Sequence, residues 1–519
     1  MIKYLKLLSL VLALTILFSS CTIKELFSLT PPEDISPPNQ ENPGETDPPV
    51  NVPTDFTIAH YTGEKLDPYT SANRANVNII KLCYDGLIYL DREYTPVPLL
   101  ADYVVDGKTI IFTLKPYVCF SDGTSVTSQD CVYSFEQASK SESIYSTRLS
   151  LYVDKWESVS STIFKVTLKN TSLYNINLFD FPIVKKGTYG NDTLPTGSGR
   201  YKLSQNSDGE DVLLHYENPF YDGEFNISEI KLLEISKAQD LSYNFNYGLI
   251  HAAYADLSDG TSRYKGNIEL VSFSSSSFVF AVVNSKKDYM QDIRVSQAIN
   301  YAINRSEIST GIFDGMCDSV WHPFSPGWNK IVKAELNEDI YSTTKAHQLL
   351  TEAGWNLNDL KRTWNGKEQP INIICNNEDL TKVEVAKALV TTLENLGFTV
   401  TLTQYNWNYY QDAIKKGEFD IYLGKVAVPP NMDISFMFTD TICNNGRSYS
   451  NDFFAAINSF YNEEIDVRDF VSIFSDNMPF IPLYYTRSAL AVNRVVSGSF
   501  TPSESDLFVG IENWAFGND

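Results

Sequence analysis

A strand, a helix and a second strand follow one another between Ile371 and Tyr405, and this unit restricts the fold more than any other stretch. Ile371 to Cys375, "INIIC", is a short apolar run of the kind that fills a buried strand. The next segment, "TKVEVAKALVTTLENLG", opens with Thr381 and Glu384 at capping-box spacing. Val383, Val385, Ala386, Leu389 and Leu393 approximate one helical face, and Gly397 stands where helices end in a left-handed residue. "FTVTLTQY" then alternates Phe398, Val400 and Leu402 with threonines. Two strands joined through a helix in this way lie parallel in one sheet. A single further helix is expected over "MQDIRVSQAINYAINRSEI", with Ile293, Val295, Ala298, Ile299, Ala302 and Ile303 turned inward. The first third differs: "GKTIIFTLKP" and "IFKVTLK" alternate as half-buried strands do, and a helix is expected from about Ser128. The pattern predicts an α/β chain with more antiparallel strand in its first third.

The chain front limits where such a fold would work. Lys3 and Lys6 precede an apolar run from Leu7 to Phe18, and Ser19, Ser20 and Cys21 follow. That run is shorter than the ~20 residues a spanning helix requires. It has the length and flanks of a secretory signal. The Cys21 position resembles a bacterial lipobox, although Phe18 stands where leucine is usual. The expectation is a signal peptide over residues 1–20 with lipidation at Cys21; the alternative is an ordinary secretory signal with an incidental cysteine. More than one acyl chain on Cys21 would hold the protein stably on a membrane. Residues 21–55 include "LTPPEDISPPNQENPGETDPPVNVP", which carries eight prolines and few large apolar residues. Such sequence cannot bury enough surface to fold, and proline keeps it extended, so a disordered tether is expected.

About 460 residues remain after the tether, too many for one small core, so two or three lobes are expected. The formal charge of the whole chain is −23. A surface this acidic repels nucleic acid, and no polynucleotide partner is expected. The cysteines after Cys21 form no CxxC pair; Cys119 and Cys131 are nearest in sequence, and spacing alone leaves their pairing open. The five histidines are scattered with no two at helical ligand spacing, so neither a metal site nor a cofactor is expected. GxSxG, HExxH and paired Cys/His motifs do not occur, which makes an enzyme the weaker reading.

Six phrases in order carry a resemblance. They are "YDGLIYLDREYTPVPLLADYVVDGKTIIFTLKPYVCFSDGTSVTSQDCVYSF", "PTGSGRYKL", "VVNSKKDYMQDIRVSQAINYAINRSEI", "AHQLLTEAGW", "LENLGFTVTLTQYNWNYYQDAIKKGEFDIYL" and "PFIPLYY". This text resembles the large extracytoplasmic solute-binding proteins of ABC importers, in the family 5 type that includes dipeptide- and oligopeptide-binding proteins. The resemblance implies a two-lobed periplasmic-binding-protein fold with a hinge and an extra inserted domain. Lobe I would comprise residues 56–87, 196–270 and 486–519, the inserted domain 88–195, and lobe II 271–485. It also implies a monomer on the outer face of the cytoplasmic membrane that hands a solute, most often a peptide, to ABC permease subunits. An oligosaccharide or other uncharged solute, or a non-transport surface sensor, are the alternatives.

In peptide-binding relatives a carboxylate of lobe II pairs with the peptide's amino group, just past a Gly-Trp pair. Here Gly424 matches the glycine, Lys425 replaces the tryptophan, and the carboxylate position falls near Val428. An aliphatic side chain cannot hold a buried ammonium, and Asp433 is the nearby acid a loop shift would bring in. Trp407 matches a tryptophan that lines the cleft in relatives, or else packs between strand and helix. Tyr61, Phe278 and Trp321 lie on segments that reach the cleft, or else belong to the core. The ligand-binding set expected from the resemblance is therefore Tyr61, Phe278, Trp321, Trp407, Lys425, Val428 and Asp433.

Overall fold

The computed structural model describes residues 55–190, 194–221, 225–258, 264–336, 340–438, 442–443 and 445–517. Cys21 and the proline-rich segment before residue 55 lie outside them. Three main sheets organise this region. In the first, Thr57–Tyr61 runs parallel to Glu229–Ile235, and Asp211–His215 and Tyr201–Gln205 add to it antiparallel. The second is wholly antiparallel, in the order Ala101–Asp106, Thr109–Leu114, Ile163–Leu168, Val153–Ser158. The Asp106-Gly107 and Asp122-Gly123 pairs make tight turns, with φ of +54° at Gly107 and +81° at Gly123.

The third sheet has seven strands. Its spine is the pair Ile268–Val283 and Ile481–Asn493, which run antiparallel along most of their length. Ala252–Asp256 and Cys317–Ser319 pair with Ile481–Asn493, while Ile421–Ala427 pairs with Ile268–Val283 and leads to Ile371–Asn376 and Val400–Tyr405. Ile371–Asn376 and Val400–Tyr405 are parallel, as the strand–helix–strand pattern requires. The helix between them is Leu380–Asn395. Its cap is Asp379, whose carboxylate accepts from the Lys382 amide, and not Thr381; the Thr381 hydroxyl instead donates to the Ser258 carbonyl at 3.1 Å. Asp379 is the stronger cap because it brings a negative charge to the helix N-terminus.

The expected single helix near residue 300 is two, Ile293–Ala302 and Arg305–Phe313. The apolar pattern runs through the break, but Ile303 is extended and the Asn304 side chain caps the second helix at Glu307. Buried Arg305 fixes the bend by donating to the Val320, Pro482 and Asn300 carbonyls. The helix expected from about Ser128 is Ser128–Ala138, with Thr127 and Asp130 as its capping box.

Glycine matters most where the backbones touch. A Cβ on Gly197 would lie 2.2 Å from the Cys83 carbonyl oxygen, and one on Gly199 2.4 Å from the Cys83 carbonyl carbon. These glycines let the chain enter the first sheet directly against the end of helix Arg74–Cys83. Small side chains do the same where the first and third sheets meet. Ala59, Ala253, Ala255, Ala489 and Ala491 form one buried cluster there with Ile235 and Phe245. Cys83, Cys119, Cys131, Cys317, Cys375 and Cys443 are all free thiols. Among the described residues, no helix is long and apolar enough to cross a membrane.

Candidate functional site

A cavity of about 760 Å³ opens where helices Arg74–Cys83 and Ser146–Tyr152 and the end of strand Ile421–Ala427 converge. Its volume falls within the roughly 300–1,000 Å³ of small-molecule sites. Helix Arg74–Cys83 supplies Arg74, Val77 and Lys81, spaced i, i+3 and i+7 on one face. Asn73 caps that helix by accepting from the Ala75 amide at 2.9 Å. The Asn76 amide pins the helix to the first strand, exchanging two 2.9 Å hydrogen bonds with the Tyr61 backbone.

Helix Ser146–Tyr152 adds Arg148, Leu151 and Tyr152 to the same wall, beside Tyr145. Asp180 ties these elements together. It pairs with Arg148, accepts from the Ser505 hydroxyl at 2.9 Å, and lies 4.0 Å from Lys81 Nζ. Lys81 also donates to the Asp180 carbonyl at 2.8 Å. Burial alone would raise the Asp180 carboxyl, but Arg148 and Lys81 outweigh it and hold it below its usual range. A second pair, Arg74 with Glu504, stands on this wall. Burial works against the Arg74 charge, and Glu504 more than restores it.

The facing wall has a different chemistry. It consists of Ala427, Val428, Pro429, Pro430, Phe436 and Ile442, with no ionisable side chain among them. Ser276 joins the two walls. Its carbonyl accepts from the Val428 amide at 2.9 Å, and its hydroxyl donates to Glu504 Oε1 at 3.3 Å. Beside the cavity, the Asn177 side chain donates to the Pro430 carbonyl at 3.0 Å, and the Asn431 side chain to Asn175 Oδ1 at 2.8 Å.

Ser276 also lies where the spine of the third sheet changes register. Ile268–Val283 pairs with Ile481–Asn493 up to Ser274 opposite Arg487, then resumes at Phe278 opposite Tyr485. Within the break the Ser275 and Thr486 hydroxyls lie 2.6 Å apart and buried.

The expected site residues scatter around this geometry. Val428 lines the cavity and is buried. Asp433 stands behind it, accepting from the Ser435 amide at 2.8 Å and facing the Tyr152 hydroxyl. Burial, and then Asp433, push the Tyr152 phenol up, so it stays a neutral donor. Tyr61 lines a separate pocket of about 190 Å³, which shares Arg74 with the large cavity. Lys425 pairs with Asp379 at 3.2 Å, away from the cavity lining. Phe278 is wholly buried, stacked 4.8 Å from Tyr485 and 5.5 Å from Phe280. Trp321 borders another pocket with Gln297 and Tyr301, and Trp407 is 48% exposed at a helix start.

Sequence reasoning missed the charged wall. The 74, 77, 81 spacing was a local sign of one helix face. Nothing local links Arg148 to Asp180 or Arg74 to Glu504, the last two being 430 residues apart.

Comparison with known proteins agrees with this architecture. Residues 95–448 match the family described as bacterial extracellular solute-binding proteins, family 5 middle. The oligopeptide-binding protein AppA of Bacillus subtilis strain 168 is 22% identical over 480 residues, covering 86% of this chain and 88% of that protein. Its solved structure in complex with a nonapeptide aligns at a TM-score of 0.60 and 19% identity, over 89% of this chain and 99% of that one. The unliganded open form of MppA, a periplasmic murein tripeptide binding protein, aligns at 0.71 and 17% identity, over 90% and 98%. The chain belongs to the family 5 extracellular solute-binding proteins of ABC importers, the family of the oligopeptide-binding proteins.

Proposed function

We propose that this protein captures a peptide in the 760 Å³ cavity and delivers it unaltered to an ABC permease. The observation that carries this reading is the pairing of a charged wall with an apolar one. The first offers ionic and hydrogen-bonding groups to a peptide backbone and its termini. The second offers area to apolar side chains. The names of AppA and of the murein tripeptide binding protein support a peptide as the solute class. An uncharged solute is the second reading, favoured by Val428 standing where the family expects a carboxylate.

The lobe boundaries expected from the resemblance remain part of this proposal, with one feature to accommodate. The seven-stranded sheet includes Ala252–Asp256 and the whole of Ile481–Asn493, so it extends from lobe II into lobe I. Closure would bend the two spine strands near their register change, where Ser275, Ser276 and Thr486 lie. The protein would work as a monomer held to the outer face of the cytoplasmic membrane through lipid on Cys21. Native mass spectrometry of protein purified from its own host tests the capture. A peptide mass released intact is expected; a glycan or other non-peptide mass would favour the second reading. Cys21→Ser tests the anchor, and the expected result is protein in the medium in place of the membrane fraction.

A further inference from the structure

The ionisable groups that line the cavity all stand on one wall, and their spare bonding capacity is uneven. Asp180 spends both oxygens on Arg148, Ser505 and Lys81. Asp91 turns one oxygen onto its own loop, accepting from the Glu93 and Thr95 amides at 2.8 Å each. Asp433, behind the opposite wall, is committed to the Ser435 amide and faces Tyr152. Glu504 differs. Its Oε1 accepts from Arg74 and from Ser276, while its Oε2 is buried with no hydrogen-bond partner among the described residues. Arg148 Nε is likewise buried and unpartnered on this wall.

A carboxylate accepts up to about four hydrogen bonds, so Glu504 can keep Arg74 and take a second cation. Arg148 Nε offers a donor to a carbonyl or carboxylate of the same molecule. The lining charges of this wall balance, with Arg74, Lys81 and Arg148 against Asp91, Asp180 and Glu504. A solute with a large net charge would upset that balance, whereas a zwitterion would not.

Building on the peptide reading above, we propose that Glu504 anchors the free ammonium group of a zwitterionic peptide, whose apolar side chains lie under the Val428–Pro430 and Phe436 wall. The anchor then sits on the wall opposite the family position, and the Val428 wall closes as an apolar cover.

The test uses the full mature chain and a chymotryptic casein digest, offered native or with its amines acetylated. Capture is read by native mass spectrometry. The expected result is at least tenfold more peptide captured from the native pool, rich in apolar residues. Glu504→Gln is expected to lose that preference while still capturing acetylated peptides, which a misfolded variant would not do. Glu504→Asp, which keeps the charge, is expected to recover part of the preference. Equal capture of both pools by the parent would overturn the ammonium anchor and leave the peptide reading standing. A preference unchanged in Glu504→Gln would overturn the role of Glu504. Capture from neither pool would overturn the peptide reading itself, and this inference with it.

Discussion

Asp180 holds two basic side chains at once, with Arg148 on one oxygen and Lys81 and Ser505 near the other. Removing its charge leaves those cations partly buried without their counter-ion, which costs far more than a surface pair does. Asp180→Asn is therefore expected to lower stability by about 3 kcal/mol, read from urea unfolding. Gly424 shows a different constraint. A Cβ there would lie 2.4 Å from the Phe280 ring, which packs over the bare backbone. Gly424→Ala must displace that ring from a filled core, at a cost of about 1–3 kcal/mol in the same measurement. On the cavity's apolar wall, Val428→Asp would bury a carboxylate against the solute's apolar side chains. It is expected to lower affinity for free-amine peptides about tenfold by calorimetric titration. An unchanged affinity would mean that the solute does not reach Val428.

The spine strands of the third sheet join regular pairing on both sides to an irregular stretch between Ser274 and Phe278. There the Ser277 amide turns to the Ser275 hydroxyl at 3.1 Å in place of a ladder partner. Amides without ladder bonds exchange through smaller openings than their neighbours. Hydrogen exchange should therefore be faster at Ser275 to Ser277 than at Val271 to Phe273 or Val279 to Val282; uniform protection along the strand would argue against a hinge there. The local elements were legible where the apolar pattern ran unbroken, even where the cap was misplaced by two residues, as at Asp379. Ile371–Asn376, Leu380–Asn395 and Val400–Tyr405 followed from alternation and helical spacing. The break at Ile303 was not legible, because the apolar spacing continues across it and long-range bonds from Arg305 set the bend. Val428, which lines the cavity, was singled out through the resemblance, from its place after Gly424. Arg148, Asp180 and Glu504 were not, since tertiary folding alone brings them together.

At the scale of the whole molecule, buried ionisable groups couple the fold to pH. His322 is 1% exposed, and burial, helped by the nearby Arg305 charge, lowers its pKa to about 4. Its unfolded value is 6.5, so between those two values the unfolded chain takes up a proton that the folded chain refuses. The stability this histidine contributes is thus present above about pH 6.5 and is lost as pH falls toward 4. His322→Asn is expected to melt with a shallower decline between pH 7 and pH 4.5 than the parent, by calorimetry at matched ionic strength. Equal slopes would mean that other groups govern the acid limb.

The cavity joins a wall of paired charges, drawn from residues 74 to 180 and from the C-terminal segment, to a wall built almost wholly of aliphatic and proline side chains. A crystal structure of the protein purified with its natural solute tests that arrangement most directly. Density for an intact solute should lie between Arg74, Arg148 and Glu504 on one side and Val428 to Pro430 on the other. Density confined to another pocket, or a solute bound with this cavity left empty, would contradict it.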